Sequence, residues 1–243
     1  MTILDIKGEC PPIICFHGYG GSKELAAKLK NGLNLPNRFV GFDFPDAGLM
    51  EGGKEAHEMA FGSFNELVPP LQILKQIIQE ERCQEVVLYG RSAGGGALIN
   101  TIAVLNNKMH TDKLLNIGID EETVKSILEV IQNGSILLDC PLKTIEEIID
   151  LRGPNKELLF LNHRYKLNEM LPLDQIKYLV GLKLNIILHF LDPDDVIYNR
   201  DDTIFYERLK TANSKGETHL VVGNEGLHGD IIHQQLWDKF KIL

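Results

Sequence analysis

The chain is 243 residues long, 44% hydrophobic and 24% charged, enough to bury one sizeable core. Its net charge of −9, with no basic stripe, argues against nucleic acid as a partner. No apolar run reaches the length of a membrane span, and residues 1–9 lack the charged-then-apolar order of a signal peptide, so a cytoplasmic protein is expected.

The four cysteines, Cys10, Cys15, Cys83 and Cys140, are scattered without a Cys-x-x-Cys spacing, which predicts reduced thiols. Residues 12–16 (Pro-Ile-Ile-Cys-Phe) are continuously apolar and run into His17-Gly18-Tyr19-Gly20-Gly21-Ser22. Continuous apolarity means burial on both faces, the pattern of a central parallel strand. A helix over 23–31 and a strand over 38–44, stopped by Pro45, come next. Residues 46–63 are Gly-rich and polar and read as an irregular loop. Leu67, Leu71, Leu74, Ile77 and Ile78 fall at helical spacing within 64–79, with Pro69-Pro70 expected to delay the helix start.

A short apolar strand over 86–89 meets Gly90-Arg91-Ser92-Ala93-Gly94, and a helical pattern to residue 106 follows at once. Residues 107–133 are helical and interrupted, 135–140 a core strand, and 142–180 again mainly helical, with breaks at Gly153-Pro154 and near Pro172. The blocks 107–133 and 142–180 are candidates for small lid or side-wall helices within one domain over 1–243. The chain closes with a buried strand over 185–191, a helix over 203–213, a strand over 218–222 and a helix over 231–240. Strands alternating with helices predict an α/β fold with a mostly parallel central sheet.

Gly-x-Ser-x-Gly between a strand and a helix is the setting of a nucleophile elbow, with Ser92 as nucleophile. The competing readings are a phosphate-binding βα turn or a helix-capping serine. A serine hydroxyl needs a base to take its proton, and in this architecture the chain order is serine, acid, histidine. His228 follows the last strand in a Gly-flanked loop and is the expected base, while His189 and His219 sit on strands and read as structural or surface residues. The loop after 185–191 offers three carboxylates. Asp195, followed by Val196-Ile197, is the first choice for the acid, and Asp194 and Asp192 are its alternatives. An oxyanion hole is expected from the N–H of Ala93 and one from the His17–Gly21 loop, with Tyr19 the first choice.

On these residues the chain resembles the α/β-hydrolase superfamily: a His-Gly loop at His17 to Gly21, an elbow at Gly90 to Gly94 and a base loop at Gly226-Leu227-His228. The resemblance implies helices flanking a mostly parallel sheet, trimmed at the N-terminus to residues 2–7, and a triad of Ser92, His228 and an aspartate near Asp195. It departs where Phe190 replaces the usual glycine and where the acid loop is longer, both of which bear on the choice of acid. The expected activity is hydrolysis of a small-molecule carboxylic ester or thioester through an acyl-enzyme. A non-catalytic binding protein, or peptide or C–C bond hydrolysis, is the alternative. No metal-ligand spacing or cofactor fingerprint is present, so no cofactor is predicted.

Overall fold

The computed structural model of the chain describes residues 2–18, 21–45, 62–81, 83–144, 170–191, 202–223 and 237. Its apolar runs form β1 (Ile3–Ile6), β2 (Glu9–Phe16), β3 (Asn37–Phe42), β4 (Val87–Arg91), β5 (Ser135–Asp139), β6 (Asn185–Leu191) and β7 (Glu217–Gly223). They make one sheet in the order β1-β3-β2-β4-β5-β6-β7. β1 lies antiparallel on β3 and every other pair is parallel, so the sheet is mostly parallel, as expected.

Among the described residues, the α-helices with described bounds are α1 (Leu25–Gly32), α2 (Phe64–Glu81), α3 (Ala93–Asn106), α4 (Thr111–Asn116), α5 (Glu121–Asn133), α6 (Pro172–Gln175) and α7 (Asp202–Ala212). Alternate strand residues face opposite layers, because side chains on a strand repeat every two residues. Ile14, Phe16, Leu88, Ile136, Leu138 and Leu188 pack with the apolar stripes of α2, α3, α5 and α7. Ile13, Cys15, Val87, Tyr89, Leu137 and Ile187 pack instead with Leu25, Ala26 and Leu29 of α1 and with Trp237. Trp237 is helical and stacks on Tyr89 with ring centroids 6.0 Å apart. Both faces of the central strands are therefore covered, which is why β4 needed no polar alternation.

One expectation changes. α2 begins at Phe64 and carries Pro69 and Pro70 inside it, instead of starting after them. Prolines there remove two intrahelical hydrogen bonds and crowd the preceding turn. Burial outweighs that cost: Leu67, Leu71, Leu74 and Ile77, on one face spanning both sides of the prolines, are each at most 2% exposed. Among the described residues no helix is long and apolar enough to cross a membrane.

Candidate active site

β4 ends at the centre of the sheet, and the chain turns from it straight into α3 through Ser92. Ser92 has φ 51° and ψ −124°, a backbone conformation that a residue with a Cβ rarely adopts. Such a conformation costs roughly 1–3 kcal/mol and persists only when its surroundings over-determine it. Here they do. The Ser92 N–H donates to the Asp139 carbonyl at 2.9 Å, and the Ser92 carbonyl accepts from Gly95 and Leu142 N–H, each at 2.9 Å. The turn is thus tied both to its own helix and to the chain leaving β5.

The Ser92 side chain is partly exposed and caps no N–H of α3, which disfavours the capping reading. Ala93 opens α3, so its own N–H, at the first helical position, has no acceptor within the helix. The helix dipole adds positive potential at the same end.

The His17-Gly18 end of β2 lies against this elbow. A Cβ placed on Gly18 would sit 3.1 Å from the Ser92 Cβ and 3.6 Å from its Oγ. On Gly94 a Cβ would fall 2.2 Å from the Phe16 carbonyl oxygen, so only glycine lets α3 start this close to β2. Gly18, one residue before the expected donor Tyr19, is therefore adjacent to the Ser92 turn.

His17 anchors the loop. Its Nδ1 pairs with the Gly18 carbonyl at 2.8 Å and its Nε2 accepts from the Phe44 N–H at 3.3 Å, which assigns the neutral tautomer with the proton on Nδ1. Burial pulls its pKa below the ordinary value, against the opposing pull of the Gly18 carbonyl and Asp43. Beside it, Asp43 at the end of β3 accepts from the Lys23 N–H and Nζ, each at 2.8 Å, fixing where the loop re-enters α1. Burial pushes the Asp43 carboxyl up, but hydrogen bonds from Lys23 and Thr2 outweigh it and hold it below its usual value.

A second polar group spans β4, β5 and β6 beneath the elbow. The Tyr89 hydroxyl donates to Asp139 Oδ2 at 2.6 Å, and His189 Nδ1 lies 2.9 Å from Asp139 Oδ1. Burial, then the Asp139 charge, holds the Tyr89 phenol protonated well above its ordinary range. Sequence reasoning did not single out Asp139. Its signal was a carboxylate ending the apolar run Ile136-Leu137-Leu138, where a charge needs partners. Asp139, Cys140 and His189 also bring three donors of metal-ligand type within 4.8 Å of one another. Both Asp139 oxygens are already engaged by Tyr89 and His189, so the group reads as a satisfied polar ladder across the strands.

Tyr19, Asp192, Asp194, Asp195 and His228 lie outside the described residues, as do 46–61, 145–169 and 231–236. β6 and β7 run parallel to β4, so their last residues, Leu191 and Gly223, lie at the sheet edge that carries Ser92.

No family model matches the chain. No curated protein matches it by sequence either. Solved structures do. Thermogutta terrifontis esterase 2 aligns with a TM-score of 0.62 at 14% identity, covering 98% of this chain and 85% of that one. Acetyl xylan esterase 1 from Thermoanaerobacterium sp. aligns with a TM-score of 0.59 at 15% identity, covering 98% and 75%. The Pyrococcus furiosus esterase Pf2001 aligns with a TM-score of 0.54 at 16% identity, covering 95% and 77%. At such identities the likeness is one of architecture, and with its strand order and its strained serine turn between β4 and α3 the chain adopts the α/β-hydrolase fold.

Proposed function

We propose that the protein is a serine hydrolase that cleaves small-molecule carboxylic esters through an acyl-enzyme on Ser92. The observation that carries this reading is the strained Ser92 turn, φ 51°, packed between the first turn of α3 and the Gly18 backbone. In this reading Ser92 Oγ attacks the acyl carbonyl while His228 takes its proton and passes it to the leaving alcohol. Asp195 holds His228 in the productive tautomer, with Asp194 and Asp192 as the other candidates. The N–H groups of Ala93 and Tyr19 bind the oxyanion, each worth about 3 kcal/mol in the transition state. Water then releases the acid by the same route.

Short acyl groups are favoured, since Thermogutta terrifontis esterase 2 was solved with butyrate bound. Thioesters of similar size are a further substrate class, and a cytoplasmic setting is part of the proposal. That same esterase was also solved phosphonylated by sarin, which recommends an organophosphorus probe. A fluorophosphonate should label the native protein once, at Ser92, and label Ser92→Ala not at all. Native protein that stays unlabelled, or labelling that survives Ser92→Ala, would turn the reading toward a non-catalytic binding protein. A p-nitrophenyl ester series of increasing acyl length, run beside the matching acyl-CoA thioesters, then sets the substrate class.

A further inference from the structure

The four cysteines are scattered in sequence, and the fold brings two distant ones together. Cys10 Sγ and Cys83 Sγ lie 3.6 Å apart across a sequence separation of 73 residues, in hydrogen-bond contact as two thiols. Cys10 sits near the start of β2, and Cys83 lies four residues before β4. These strands are parallel neighbours, paired from Ile13↔Val87 to Phe16↔Gly90. Both thiols are thus at the N-terminal edge of the sheet, opposite the edge that carries Ser92.

We propose that Cys10 and Cys83 form a reversible intramolecular disulfide, an oxidative modification site remote from the candidate active site. A disulfide needs its sulfurs at about 2.05 Å, so the pair must close by roughly 1.5 Å, within the reach of side-chain rotation. Local slack is available. The β2–β3 ladder shifts register between Glu9 and Ile13, so the Cys10 segment is not locked by regular pairing. Access is asymmetric in the way the chemistry requires: Cys10 is exposed and Cys83 is 7% exposed.

With hydrogen peroxide as oxidant, the Cys10 thiolate attacks one peroxide oxygen. The S–O bond forms, the O–O bond breaks and hydroxide leaves to take up a proton. The Cys83 thiolate then attacks the Cys10 sulfur. The S–S bond forms, the S–O bond breaks and the oxygen departs as water. Two thiols lose two electrons and one peroxide becomes two waters. Cys15 is kept out of this exchange, because it is 1% exposed and burial pushes its thiol up. Cys140 is 3% exposed, so the oxidant does not reach it.

The bond ties the entry of the strand bearing the His17-Gly18 loop to the approach of the strand bearing Ser92. It closes a loop long enough that the oxidised protein should melt about 5–10 °C higher. The test treats the full chain with a small excess of hydrogen peroxide, blocks remaining thiols under denaturing conditions and maps peptides without reduction. The expected result is one cross-linked peptide pair containing Cys10 and Cys83, lighter by two hydrogens and restored by dithiothreitol, with the melting temperature raised in step. Cys10→Ser, at an exposed position, should fold, keep all its remaining thiols and show no shift. Recovery of Cys10 as a sulfinic acid beside an intact Cys83 thiol would overturn the proposal. So would a cross-link between the Cys10 residues of two chains.

Discussion

The backbone N–H of Ser92 donates to the carbonyl oxygen of Asp139 at 2.9 Å, so the strained turn hangs from the last residue of β5. The Asp139 side chain is in turn held by Tyr89 and His189. One aspartate therefore joins the serine turn, through its main chain, to a buried polar ladder across three strands. What fixes the position of Ser92 is the sheet itself, in addition to the helix that follows it.

If Ser92 holds its unfavourable backbone only because its surroundings impose it, relieving that strain should raise stability. Ser92→Gly removes the Cβ at φ 51° and should be more stable than Ser92→Ala by about 1 kcal/mol, after allowance for the extra chain entropy of glycine. Both variants should be inactive toward esters. Urea unfolding of the pair decides it, and equal midpoints with equal slopes would show that the turn stores no strain.

The two glycines beside the nucleophile should respond differently to alanine. At Gly94 the new Cβ would fall 2.2 Å from the Phe16 carbonyl oxygen, which neither strand nor helix can accommodate without moving. Gly94→Ala should cost about 3 kcal/mol or more in stability. Gly18 has more room, with the nearest atom at 3.1 Å, but that atom is the Ser92 Cβ. Gly18→Ala should fold with a small loss and lower ester kcat/KM by about 100-fold, since a misplacement near 1 Å costs that much. Thermal melts and ester turnover on the two variants separate the effects; full activity in Gly18→Ala would remove this loop from the site.

The central strands and the serine turn were legible because their signals are local. An apolar run followed by Gly90-Arg91-Ser92-Ala93-Gly94 and an apolar helical stretch leaves few other conformations. Pro69 and Pro70 misled for a physical reason: their cost is local, whereas the burial of Leu67, Leu71 and Leu74 that offsets it comes from the sheet. The Cys10–Cys83 contact and the Tyr89–Asp139–His189 ladder depend on strand order, which no short window of sequence contains. His189 reads as a strand histidine until β5 places Asp139 beside it, in register. Phe16, His17 and Gly18 converge on Ser92 for the same reason: β2 and β4 are neighbours despite lying some seventy residues apart.

The ladder makes its own prediction. Tyr89→Phe removes the donor to Asp139 Oδ2 and leaves a carboxylate oxygen buried without it. A hydrogen bond to a charged group contributes about 1.5–3 kcal/mol, and the variant should lose stability in that range. Adding Asp139→Asn should cost less than the sum of the single changes, because the two side chains share one bond. A double-mutant cycle by urea unfolding measures the coupling; a value within error of zero would show that Tyr89 and Asp139 act independently.

Glu66 lies in the first turn of α2, 5% exposed, and its Oε2 accepts from the Gly62 N–H at 2.8 Å. Burial raises its pKa to about 8, against the opposing pull of that hydrogen bond. Between the ordinary value of 4.5 and about 8, the folded state holds a proton that the unfolded chain has released. Stability from this group is therefore complete below pH 4.5 and is lost as pH rises through 8, up to about 5 kcal/mol in all. Glu66→Gln keeps an oxygen for Gly62 and cannot ionise. It should match the wild type near pH 4.5 and exceed it progressively up to pH 8.5, in urea midpoints taken across that range. Parallel pH profiles for the two proteins would mean that Glu66 ionises in the folded state as readily as in the unfolded one.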